Sequence, residues 1–539
     1  LAPGLAGGTT EGDQPRVLAA WSQVFGTEDP QRATGRFAPR LEMRFVLEAH
    51  QDCGAFGVEY RLAADGAWQA VDPAHRAQAR RVASGTPAPL AVTVCALPMQ
   101  TRGEDWYVAR LRWGDTDAVL SSHFVAGDTE ETVGSAFRPG PADGLPISLW
   151  GGASIGTRNA LAGRDRIVLV TLGDTGCRGK PHGWNKPQRT PADEARLQRM
   201  TQSCDSDSWP LARLAAEAAV AAGPGHGPDL VIHVGDYRYF LEDQVPKPAN
   251  GWLYWQKDFF PAAQPLLLAA PWVAVRGNHE ACGEWGFGDS YLQLFGPGGW
   301  TSCAGAPDPL PAYAFDIAAG GLVWGAGAAH RFVVLDTNQD PASGATGSYP
   351  AAMQLTRASA APTSTWWVTH VPAITLVDFG EPAKEYTGDP ELQAALIAAA
   401  GGNLSDWFCP AGSCRPSQIL LGHQHLYQSL EFPADGRPGG HWVLPRHVVV
   451  GHGGTAIDSA SPAPPGVARC RYRGFAALGA PGRDAPIAIA ETQALHGVVA
   501  WVRDADTLAL PAGWDVLRFI WAGGAPVPAD ASDPTACRR

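Results

Sequence analysis

Six times between residues 167 and 423, a short apolar run stops on Gly, Asp, Asn or His. Ile167–Leu172 leads into Gly173-Asp174, Leu230–Val234 into Gly235-Asp236, and Trp272–Val275 into Arg276-Gly277-Asn278-His279. Phe332–Leu335 runs to Asp336, Trp366–Thr369 to His370, and Ile419–Leu421 to Gly422-His423. Between the first two runs, Trp209–Ala222 is rich in Ala and Leu, which favour helix, and Gly223-Pro224 stops it. Strands alternating with helical segments predict an α/β core, with functional groups at the carboxyl ends of the strands.

The flanking regions have a different texture. Up to about residue 150 the runs Met43–Glu48, Ala91–Ala96 and Trp106–Trp113 are short and separated by Gly, Asp and Pro clusters. That spacing predicts a small all-β sandwich of fibronectin or immunoglobulin type. Arg138–Pro146 reads as a linker. The expected division is therefore an accessory sandwich over 1–150 and a catalytic domain over 151–539. Past Asp406, Trp442–Leu444, His447–Val450, Gly497–Arg503 and Val516–Trp521 continue as strand-like runs without strong helices. They are expected to complete a second sheet packed on the first.

Charge narrows the partners. With 41 basic against 53 acidic residues, the 539-residue chain carries a net charge of −12. It lacks the basic footprint of a nucleic-acid binder. The best apolar run, Pro265–Val275, is broken by Pro271 and falls short of the ~18 residues of a membrane helix, so neither nucleic acid nor membrane is expected as a partner. Only five of the basic residues are Lys, and this bias, with abundant Ala and Gly, points to a high-GC bacterial gene. The chain begins at Leu1 with no leader pattern, as one whose signal peptide is cleaved or omitted would. Ten cysteines favour an oxidising compartment. Paired in order they would give Cys53–Cys95, Cys177–Cys204, Cys282–Cys303, Cys409–Cys414 and Cys470–Cys537, although sequence leaves the connectivity, and the alternative of free buried thiols, open. A secreted or periplasmic location is the expectation.

The strand ends carry the chemistry. Asp174, Asp236, Tyr239, Asn278, His370, His423 and His425 come from five places, each just beyond an apolar run. A dinuclear hydrolase needs such a set, with one ligand bridging two cations roughly 3.5–4 Å apart. An isolated Gly-Asp is an ordinary turn, and a lone strand-end His is most often structural. Five together, in one structural context, are a site.

The segments Asp174-Thr-Gly176, Gly235-Asp-Tyr-Arg-Tyr239, Gly277-Asn-His-Glu280, Val368-Thr-His370 and Gly422-His-Gln-His425 resemble the motif set of the purple acid phosphatases, a family of calcineurin-like metallophosphoesterases. The resemblance spans roughly residues 165–525 and includes Val448-Val-Val-Gly-His-Gly-Gly454. It implies two mixed β-sheets packed together and flanked by helices. It also implies one metal on Asp174, Asp236, Tyr239 and His425, and another on Asp236, Asn278, His370 and His423. Most of the wider superfamily has Asp-x-His in the first motif and no tyrosine ligand; here Gly176 replaces that His and Tyr239 follows the bridging Asp236.

Sharing Asp236 equally, the first site gathers about two and a half negative charges and the second about half of one, so hard oxygen donors predict Fe(III) beside a divalent Fe, Zn or Mn. The family reaction is phosphate monoester hydrolysis by a metal-bound hydroxide. By resemblance, Asn278 and His279 meet the substrate phosphate and His279 assists the leaving group, a task suited to an imidazole. His182, His226, His233, His452 and Arg178 are rim candidates whose structural role is the simpler reading. Small phosphorylated molecules are the expected substrates, and oligomeric state is not legible. The alternatives are a phosphodiesterase or nucleotidase on the same scaffold, or a metal-loaded binding protein without turnover. Asn403-Leu-Ser405 is a glycosylation sequon only in a eukaryotic secretory host.

Overall fold

The structure is a computed structural model. It describes the elements named below and, among others, the segments 17–26, 40–48, 51–62, 92–99, 106–113, 166–178, 209–220, 230–239, 252–282, 287–297, 302–318, 329–338, 348–357, 364–372, 418–431 and 446–458. The linker at 138–146, the sequon, His182 and His226 lie wholly outside the described residues.

Two mixed sheets form the body, as expected. In the first, Arg166–Leu172, Leu230–His233 and Trp272–Ala274 run parallel. In the second, Ala329–Val334, Ser364–Val368, Gln418–Leu421 and Arg446–Val450 are parallel, with Tyr313–Ala318 antiparallel at one side and Tyr427–Glu431 at the other. The near-continuous apolar runs are explained by burial of both faces of these strands. Leu169, Ile232, Val273 and Val275 face Phe332, Trp366, Leu420 and Val448 of the other sheet. Their neighbours Val170, Leu172, Val231 and Trp272 face the opposite way. There they meet the helices Leu211–Val220, Trp252–Asp258, Phe260–Ala269 and Gly288–Leu294. Each such aliphatic side chain contributes roughly 1.5–3 kcal/mol by leaving water.

The all-β region is present at the N-terminus. Val17–Phe25, Arg40–Glu48, Val92–Met99 and Gln78–Val82 form one layer. The strands Phe56–Leu62, Trp106–Trp113 and Ile147–Trp150 form another. Met43, Phe45, Val58, Leu97 and Leu111 pack in one core cluster, and Cys53–Cys95 links the segment before Phe56 to the strand Val92–Met99. The first layer also continues the first of the two mixed sheets edge to edge, because Gln23 pairs with Trp272 in parallel. Side chains reinforce that seam. Gln23 Nε2 donates to the Phe295 carbonyl at 2.7 Å, and the buried Arg44 guanidinium donates to the carbonyls of Leu294 and Gly296. Two side chains of the N-terminal region thus cap the last turn of the helix Gly288–Leu294, whose carbonyls have no partner within the helix.

One expectation needs correcting. His447–Val450 joins the second sheet, but Gly497–Asp504 and Asp515–Trp521 join the first. Gly497–Asp504 runs antiparallel along Arg166–Leu172 and satisfies backbone groups that would otherwise form an open edge. Trp442–Leu444 lies outside the described residues.

Candidate metal centre

Every strand-end residue singled out in the sequence lies at the carboxyl edge of a parallel strand, where the two sheets meet. Asp174, Asp236 and His423 have left-handed backbones, with φ of 54°, 56° and 72°. Such a conformation costs roughly 1–2 kcal/mol in a non-glycine residue and persists where the surroundings over-determine it. Here they do. The N–H groups of Asp174 and Thr175 donate to the carbonyls of Gly235 and Asp236 at 2.9 and 3.0 Å. Fully buried Glu280 accepts the N–H groups of Asp236, Tyr237 and Gly277 at 3.0, 3.0 and 3.1 Å. Burial and the nearby Asp236 charge push the Glu280 carboxyl up to about 8.

The donors fall into two groups sharing Asp236. The Tyr239 hydroxyl lies 2.6 Å from Asp236 Oδ2, 2.9 Å from Asp174 Oδ1 and 3.0 Å from His425 Nε2. One hydroxyl proton cannot serve both carboxylates. On the other side, His370 Nε2 is 3.2 Å from Asp236 Oδ2 and 2.9 Å from Asn278 Oδ1, and His423 Nδ1 is 2.7 Å from that same amide oxygen. The Nδ1–H of His370 is taken by the Val234 carbonyl at 2.7 Å, so in the neutral ring Nε2 presents a lone pair to two oxygens. Lone pairs converging on one point suit a cation. Asp236, His370 and His423 alone place three potential ligand atoms within 4.8 Å of one another.

Electrostatics point the same way. Burial and the Asp236 charge hold Asp174 well above the usual carboxylate range, and burial with both carboxylates raises the Tyr239 phenol. Burial opposes the charge on Asp236, but the imidazoles of His370, His279 and His423 outweigh it and keep that carboxyl low. An anionic pocket this poorly balanced fits a cation beside Tyr239.

Burial pushes His423 down to about 3, helped by His370, and His425 down to about 4 against the pull of Asp458. A depressed imidazole stays neutral, and able to bind a metal, until pH falls close to its own pKa. Metal content after dialysis should therefore remain full at pH 5 and fall between about pH 4 and 3. Loss centred near an ordinary histidine value of about 6.5 would contradict this.

His279 sits beside these donors. Its N–H donates to Asp236 Oδ1 at 2.9 Å, its ring packs 4.1 Å from that of Tyr239, and its side chain is 19% exposed. His233 and His452 are buried. His233 bridges the Thr175 hydroxyl and the Gly235 N–H, a structural role. Arg178 reaches His425 Nδ1 at 3.2 Å. Three supporting residues escaped the sequence reading. Glu280 closes the Gly277-Asn-His-Glu280 segment, where the sequence assigns it no role. Asp458, which accepts the His425 N–H at 3.0 Å, and Asp258 had no local signal. Cys282–Cys303 staples the loop beyond His279. Cys177 is also in a disulfide, with its partner outside the described residues, as are the last four cysteines.

Residues 169–427 match the calcineurin-like phosphoesterase family model. That stretch, a little under half of the chain, is thus similar to calcineurin-like phosphoesterases, and the match supports a metal-dependent phosphoesterase. Two solved structures align with 92% of this chain. One is the purple acid phosphatase PPD1 from yellow lupin (Lupinus luteus) seeds, at 13% identity, TM-score 0.47 and 73% of its own length. The other is PhoD, at 11% identity, TM-score 0.43 and 92% of its length. Neither likeness decides a function at these values. A search of curated proteins gives no match.

Proposed function

We propose that this protein is a binuclear acid phosphatase of the purple acid phosphatase type, acting on small phosphate monoesters in a secreted or periplasmic setting. The observation that carries the reading is the Tyr239 hydroxyl, placed within 3.0 Å of Asp174, Asp236 and His425. A phenol with two carboxylates and one imidazole is a donor set for a hard trivalent ion, hence Fe(III). The amide and two imidazoles of Asn278, His370 and His423 suit a divalent Fe, Zn or Mn. Bound there, the two cations would supply Lewis acidity and activate water.

The chain's own residues do the rest. Asp236 offers one carboxylate to both positions. Asn278 and His279, both beside Asp236, would meet the substrate phosphate, and His279 delivers a proton to the departing oxygen. Its rate contribution is lost as the imidazole deprotonates, so activity should peak below neutrality. His279→Ala should slow esters of poor leaving groups much more than activated aryl phosphates, which need little protonation. Equal losses on both would reduce His279 to a phosphate contact. The disulfides support the oxidising location.

The decisive experiment is metal analysis with a visible spectrum, alongside turnover of a monoester and a diester sharing one leaving group. The iron-loaded protein should be coloured by phenolate-to-iron charge transfer, Tyr239→Phe colourless, and the monoester preferred. A colourless iron-loaded wild type would sink the tyrosine assignment. Preference for the diester would favour a phosphodiesterase, and no turnover across pH 4–8 a binding protein.

A further inference from the structure

The turn carrying Asp174 and the turn carrying Asp236 are laced together for three rungs and then part. Val234 N–H donates to the Leu172 carbonyl, Asp174 N–H to Gly235 and Thr175 N–H to Asp236, at 2.9, 2.9 and 3.0 Å. Beyond these rungs the N–H groups of Cys177 and Tyr239 turn to a side chain. Each reaches one oxygen of the fully buried Asp258 carboxylate at the end of the helix Trp252–Asp258. The Cys177 N–H donates to Oδ1, and the Tyr239 N–H donates to Oδ2 at 2.6 Å.

An independent observation shows how tightly this closes the turns. A Cβ placed on Gly176, between Thr175 and Cys177, would lie 2.6 Å from the Tyr239 nitrogen and 2.7 Å from Arg238 Cα. The loops touch backbone to backbone where Asp258 clamps them. One residue of that clamp is Tyr239 itself.

We propose that Asp258 is the positioning residue of the first donor group: by holding two amides on one carboxylate, it sets the Tyr239 phenol over Asp174, Asp236 and His425. This rests on Tyr239 being a ligand, and it concerns a residue that would touch neither metal nor substrate. The chemistry is specific. A carboxylate offers two acceptors, whereas the isosteric amide of asparagine offers one acceptor and an NH2 that repels the second N–H. Asp258→Asn therefore keeps the shape and breaks one anchor. Second-layer partners of this kind typically change metal affinity about tenfold to a hundredfold.

The test titrates metal-free protein with Zn(II) against a competing chelator and resolves two dissociation constants, for wild type, Asp258→Asn and Tyr239→Phe. The expected result is that Asp258→Asn weakens the tyrosine-containing site about tenfold or more and leaves the Asn278–His370–His423 site nearly unchanged. Wild-type constants in Asp258→Asn, or equal weakening of both sites, would overturn the proposal. Wild-type constants in Tyr239→Phe would instead remove the ligand reading on which it rests. Should Asp258→Asn fail to fold, amide hydrogen exchange of the metal-free wild type still decides. The Cys177 and Tyr239 amides should be strongly protected, and exchange at the rate of open loops would overturn the clamp.

Discussion

Asp236→Ala is expected to leave the protein with less than one metal per chain and to lower kcat/KM at least about a thousandfold, some 4 kcal/mol of transition-state stabilisation. The size follows from position. Asp236 Oδ2 stands 2.6 Å from the Tyr239 hydroxyl and 3.2 Å from His370 Nε2, so it is common to both donor groups. Removing it takes the shared negative charge from between two cations, at a site only 1% exposed. Alanine also tolerates the backbone φ of 56° less well than aspartate does. Asp236→Asn separates the two effects, since it keeps the shape and much of the left-handed tolerance but loses the charge. Both variants should be metal-poor, and Asp236→Asn should melt closer to wild type. Two metals per chain in either variant would end the bridging role.

Gly176→Ala should be nearly as damaging, although it adds only one methyl group. The atoms its Cβ would meet are the Tyr239 nitrogen and Arg238 Cα and carbonyl carbon, at 2.6, 2.7 and 2.8 Å. These are backbone atoms with no rotamer to yield, so the turn must move. Overpacking of this kind costs about 1–3 kcal/mol, and the displaced residue here is Tyr239. A lower melting temperature together with weak metal binding in the tyrosine-containing group is the expected pair of readouts. Normal metal binding with only a lower melting temperature would show that the turn yields without moving the phenol. Any larger side chain at 176 is sterically closed to this chain for the same reason: the space it would need is filled by the backbone of Arg238 and Tyr239.

The donor set was legible because each member is local to a strand end. A run such as Leu230–Val234 followed by Gly235-Asp236 states in seven residues both the strand and its functional terminus. What supports those donors was not legible. Asp258 meets a partner 81 residues earlier and Asp458 one 33 residues earlier, and a single aspartate at a helix end or in a loop carries no pattern. Strand neighbours were hidden for the same reason. Gly497–Asp504 reads as a strand, but nothing local says that its partner is Arg166–Leu172 rather than the more recently completed second sheet. Cysteine order did anticipate Cys53–Cys95 and Cys282–Cys303, because each closes a short loop.

The pairing of Gln23 with Trp272 has a consequence for how the chain is made. The strand Val17–Phe25 emerges early from the ribosome, and its hairpin partner Arg40–Glu48 follows at once. Its other edge stays unclaimed until the chain has grown by some 249 residues, on the order of ten to fifty seconds at ordinary rates of synthesis. Throughout that interval a row of backbone donors and acceptors is open to strands of other chains. The strand Val17–Phe25 thus waits for its second neighbour while about half of the chain is made, and the nascent chain is exposed to mispairing for that long.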